Sequence, residues 1–105
     1  MDKKVEYYQG KDVGIRFEVF KDGEEIRPGS AVVSIYRDKR QFVKQDVASV
    51  SGNEVKYILK GEDVQFAGKY IFVFDVAVRG MGNYTHVVDV EVKKLPVKLR
   101  NVKEV

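Results

Sequence analysis

Between Gly68 and Val78 the apolar residues fall on every second position. Tyr70, Phe72, Phe74, Val76 and Val78 line one face, and Ile71, Val73 and Ala77 lie on the other. Period two is the signature of a strand, and apolar residues on both faces predict a mid-sheet strand partly covered on each side. The same alternation recurs along the chain. Val13, Ile15, Phe17 and Val19 alternate with mostly polar residues. Residues 31–37 put Val33 and Ile35 on one face and Val32, Ser34 and Tyr36 on the other. Val55, Tyr57 and Leu59 alternate within 54–60, and His86, Val88, Val90 and Val92 alternate with Val87, Asp89 and Glu91 within 84–93. Residues 41–45 read as a short, edge-like strand. Turn chemistry separates these runs: Asp22-Gly23, Pro28-Gly29, Ser51-Gly52-Asn53 and Gly80-Met81-Gly82. A short corner, or one helical turn, is expected at Gly61-Glu62-Asp63.

Seven or eight short strands at this spacing predict an all-β, antiparallel β-sandwich. An eight-stranded barrel is the alternative. The stretch from Phe42 to Val55 reads as too irregular for plain up-and-down hairpins, which favours the sandwich. Composition agrees. Valine occurs 20 times and isoleucine 5 times, against 3 leucines and 4 alanines. β-Branched side chains suit pleated surfaces and lose freedom in helices. With 105 residues and no cysteine the chain has room for one disulfide-free domain, expected at residues 1–94, followed by a basic and apolar tail at 95–105.

Charge changes the picture once it is located. The chain carries +3, but residues 93–105 hold five Lys/Arg and one Glu, or +4, which leaves residues 1–92 at −1. The body therefore offers nucleic acid little attraction, and only the tail could supply it. No apolar stretch follows the lysines of Met1-Asp2-Lys3-Lys4-Val5, so no signal peptide is read there. No run of about 18 apolar residues is present to cross a membrane as a helix.

Several residues invite a chemical reading. His86 is the one histidine, and a nucleophilic triad would need it beside Ser30, Ser34, Ser49 or Ser51. None of these serines sits in a Gly-x-Ser-x-Gly elbow, and the inward parity of His86 favours a structural residue. One histidine without cysteine argues against zinc, and the acids at 22–25 and 62–63 lack calcium-loop spacing. Gly80-Met81-Gly82 is followed by neither a helix nor Lys-Ser/Thr, so it is no phosphate loop. It reads as a hairpin tip, with Arg79, Met81 and Asn83 as a candidate contact loop. Tyr7 and Tyr8 read first as anchors of an opening strand. With Tyr84 they form the aromatic set that a glycan-binding alternative would use. No catalytic, metal-ligating or cofactor-binding residue is expected, and the chain reads as no enzyme.

Gly68 and Tyr70 match the corner glycine and tyrosine of immunoglobulin-like modules, and the stretch from Phe17 to Lys93 resembles such a module. Phe72 stands where antibody domains place their second cysteine, Phe17 or Ile15 where they place the first, and Ile35 where they place tryptophan. Phe66 stands where an aspartate is usual. More narrowly, Phe17-Glu18-Val19-Phe20-Lys21-Asp22-Gly23-Glu24, then Val32-Val33-Ser34-Ile35-Tyr36, then Ala67-Gly68-Lys69-Tyr70 is similar to small immunoglobulin-like modules of tailed-phage virion proteins, including the N-terminal domains of baseplate upper proteins. The resemblance implies a structural role in a virion, with copies of itself or other virion subunits as partners, and it transfers no catalytic residue.

In a sandwich of this kind Val32, Tyr36, Ile71, Val73 and Val87 would share one outward face. A solvent-facing sheet normally carries polar residues there. Together with Val97, Leu99 and Val102 of the tail, these five residues are the expected interface.

Overall fold

A computed structural model describes residues 5–95 of the chain. Strands β1 (Tyr7–Tyr8), β2 (Val13–Glu18), β3 (Phe20–Lys21), β4 (Glu24–Glu25), β5 (Ser30–Arg37), β6 (Gln41–Ser51), β7 (Glu54–Leu59), β8 (Gly68–Val78) and β9 (Gly82–Lys93) make the fold all-β. Seven of them form one sheet in the order β1-β9-β8-β5-β6-β7-β2, and β3 pairs with β4 as a separate ribbon. The neighbours are antiparallel except β1 and β9. The count exceeds the expected seven or eight because β1, β3 and β4 are two-residue strands. The expected corner at Gly61–Asp63 is a 3₁₀ turn, and a second joins β5 to β6 at Asp38–Arg40.

The sheet curls around a single core until its two edges meet. Tyr7 of β1 packs against that core, and its hydroxyl donates to the Gly14 carbonyl of β2 at 3.0 Å. The alternation in sequence explains the filling. Tyr70, Phe72, Phe74, Val76 and Val78 of β8 are buried, opposed by Val13 and Ile15 of β2 and Val55, Tyr57 and Leu59 of β7. Phe17 meets Phe74 edge to face at 5.0 Å, across the layers. Phe17, Val19 and Val88 are half-buried, at the rim rather than the centre.

Strand β6 departs most from the sequence reading. It is eleven residues long and lies inside the sheet, not at an edge. Its first part pairs with β5 and its last three residues pair with β7, so one long strand carries the chain from one half of the sheet to the other. The stretch from Phe42 to Val55 is therefore one long strand with a single irregularity beside Val43, ending in a short hairpin that turns at Ser51-Gly52-Asn53, with Gly52 at φ +61°. Lys44 and Asp46 hid this. They sit opposite Ile35 and Val33, whose side chains are buried, so they too face inward. Their charges are held at the rim: Lys44 Nζ meets Asp63 at 3.1 Å, and the Tyr57 hydroxyl donates to Asp46 at 3.0 Å.

Two corners are locked by backbone contacts. The Tyr70 hydroxyl donates to the Phe66 carbonyl at 2.8 Å, rather than to the backbone of residues 61–63. At Gly61 a Cβ would overlap the carbonyl of Gly10, so only glycine lets the two turns touch. Gly61 N–H donates to Asp12 at 2.8 Å and Gly10 N–H to Val64 at 2.7 Å, which fix that approach.

Candidate functional site

Pairing in the sheet brings the five expected outward residues of the strands together. Across β9, β8, β5 and β6 the register makes three rows: Thr85–Asp75–Val32–Val47, Val87–Val73–Ser34–Gln45 and Asp89–Ile71–Tyr36–Phe42. Cross-strand partners point to the same face. Val32, Tyr36, Ile71 and Val73 are half-buried by these neighbours, and Val87 is 53% exposed. The polar members are tied within the face. Thr85 donates to Asp75 at 3.3 Å, Gln45 donates to Ser34 at 3.1 Å, and Lys69 meets Asp89 at 3.6 Å. Gln45, Asp75, Thr85 and Asp89 stay exposed among the apolar positions, of which Phe42, Val47 and Val87 are the open ones.

Two members of this face were not read from the sequence. Phe42 is 62% exposed and packs edge to face on Tyr36 at 5.8 Å. Val47 is 72% exposed. The signal was present, since Phe42 and Val47 flank a polar run, but a one-residue irregularity at Ile35/Tyr36 shifts the parity between them. Next to this row, the turn of residues 38–40 holds Lys39 and Arg40 both at φ +62°. That conformation costs an L residue roughly 1–2 kcal/mol. Arg40 borders Tyr36 and Ile71 in a shallow recess on the same face.

The expected contact loop is smaller than its sequence implied. Arg79 to Met81 form a tight turn closed by Met81 N–H to Val78 carbonyl at 3.0 Å, with Gly80 and Gly82 at positive φ. Arg79 and Met81 are exposed at its tip, whereas Asn83 lies within β9 opposite Ala77. Val97, Leu99 and Val102 lie outside the described residues.

The alternative sites are dispersed. Tyr7 and Tyr8 pair with Val92 and Lys93, while Tyr84 pairs with Val76 near the other end of β9, so the three tyrosines share no platform. Tyr8 donates to Glu6 at 2.8 Å, which raises its phenol pKa. His86 is exposed, not buried as its parity implied, because among the described residues nothing pairs with the outer side of β9 there. Its ring lies 4.2 Å from that of Phe17. Ser34 belongs to the opposite face of the sheet. Among the described residues no group of three or more His, Cys, Asp or Glu side chains is placed to hold a metal ion. The largest pKa disturbance sits on the rim of the core. Burial, then the bond to Asp46, raises the Tyr57 phenol. The Val47 N–H, then the Tyr57 hydroxyl, lowers the Asp46 carboxyl. The bond to Asp63 raises Lys44. This network satisfies polar groups at a layer edge, with Tyr57 and Asp63 each bordering a different open surface recess.

Comparison of the chain with protein-family models, with curated proteins and with solved structures returned no match.

Proposed function

We propose that the chain is a noncatalytic structural module, an immunoglobulin-like β-sandwich that works through protein–protein contacts, as in a phage virion. The observation that carries the contact role is the outward face of β9, β8, β5 and β6, where seven apolar side chains replace the polar residues expected there. The sandwich reading is supported by the Tyr70–Phe66 corner, while the single sheet that curls until its edges meet favours the barrel alternative. The virion reading rests on the similarity of the Phe17–Glu24, Val32–Tyr36 and Ala67–Tyr70 stretches to modules of that kind.

A second copy of the chain is the partner this face fits. Four strands about 4.8 Å apart and three outward rows about 6.8 Å apart give the face roughly 390 Å² in projection, and a stable interface of roughly 800 Å² per partner would also take in the residues flanking these rows. Stacked about a twofold axis parallel to the strands, β9 of one copy lies over β6 of the other. Asp89 and Glu91 then come opposite the Arg40 edge. Introducing lysine at position 73 tests the reading: association through the face should be lost while the fold persists. An unchanged molar mass across parent and variant would reject it.

A further inference from the structure

β9 is twelve residues long, but its outer neighbour β1 pairs with it only at Val92 and Lys93. Among the described residues, nothing pairs with that edge from Gly82 to Glu91. Val5, which would continue β1 opposite Val90, is exposed and outside the strand. The opposing edge of the curled sheet is β2, so a seam runs between β9 and β2. Tyr7 closes its lower end at Gly14. Its upper end opens as a cleft of about 270 Å³, walled by Phe17, Phe20 and Ile26 on one side and Val76, Tyr84 and His86 on the other. Unpaired backbone beside an apolar cleft is what an added strand requires.

We infer that this seam receives the C-terminal tail of a second copy of the chain as an extra strand on β9. The tail has the pattern of such a strand. Val97 and Leu99 alternate with Lys98 and Arg100, after a proline that suits a strand's start. With Val97 and Leu99 turned into the cleft, Lys98 and Arg100 face outward, as do Asp89 and Glu91 of β9. The chain's own tail is badly placed to pair there. A return from the end of β9 would have to occupy the positions at Val92 and Lys93 that β1 already fills. Tail-to-seam pairing is heterologous, so it builds open chains or rings of subunits, or a closed dimer where two copies exchange tails. This surface is separate from the outer face proposed above.

Four full-length proteins separate the two surfaces: parent, Val73→Lys, Leu99→Lys and the double variant. Sedimentation velocity gives their sizes, and hydrogen exchange reports residues 84–90. The Val73→Lys protein should still associate, with 84–90 protected more strongly as concentration rises. Leu99→Lys should abolish that protection and weaken tail association by at least about tenfold, the weight of a buried leucine. Residues 84–90 exchanging alike in Val73→Lys and in the double variant would overturn the inference. So would protection in a monomer that does not vary with concentration, since the occupant would then be the chain's own tail.

Discussion

Two residues set the corners of this molecule through backbone contacts that their side-chain chemistry makes possible. Tyr70 is buried, and its hydroxyl reaches the Phe66 carbonyl four residues earlier. Replacing it by phenylalanine keeps the packing and removes one hydrogen bond, so unfolding in urea should come about 1 kcal/mol earlier. An unmoved midpoint would mean the bond contributes nothing to the corner. Gly61 acts by having no side chain. Alanine there must push back the turn at Gly10 and disturb the Asp12 bond, with an expected loss of roughly 1–3 kcal/mol in the same titration. The tyrosine was legible in sequence from its glycine partner and from the strand it opens. The glycine was not, because the residue it touches lies 51 positions away and no local pattern announces it.

At the scale of elements, the strands with clean alternation were readable and β6 was not. In β2 one parity is apolar, and in β8 the large side chains of Tyr70, Phe72 and Phe74 share one parity, which burial selects. β6 places Lys44 and Asp46 on the inward parity, so its pattern looked like the end of a strand. Partners from two other segments, Asp63 and Tyr57, make those charges tolerable there. Sequence near β6 carries no sign of them. The network has a pH signature. Asp46 is held below the ordinary carboxylate range by the Val47 N–H and the Tyr57 hydroxyl. A carboxylate with a depressed pKa in the folded state stabilises above its unfolded value, and that contribution fades as pH falls through the depressed one. Stability should therefore decline below about pH 4, and less steeply in Asp46→Asn. Lys44 acts in the opposite sense. Its contribution is complete below the ordinary lysine value and is lost as alkaline pH passes the raised one. Parallel acid titrations of parent and Asp46→Asn, followed by tyrosine fluorescence, would show two curves of equal slope if the network were inert.

For the whole molecule, the sheet spends its inward residues on one core and leaves a second apolar surface outside it. Val32, Tyr36, Ile71, Val73 and Val87 were recognisable in advance because a solvated strand face should be polar, and theirs is not. Phe42 and Val47 were lost to the register shift in β6, and the seam beside β9 was invisible because an unfilled edge has no sequence signature. Val73 lies at the middle of the outer face, between Val87 and Ser34. A lysine at 73 can extend its ammonium into water, so urea stability should change by no more than about 0.5 kcal/mol. The measurement that bears most directly on the contact role is sedimentation equilibrium of Leu99→Lys with and without Val73→Lys, which removes the tail from the comparison. The account predicts a concentration-dependent dimer that becomes a monomer when Val73 is lysine, with matching unfolding midpoints. A Leu99→Lys protein that is already monomeric at every concentration, or a dimer indifferent to the lysine, would contradict it.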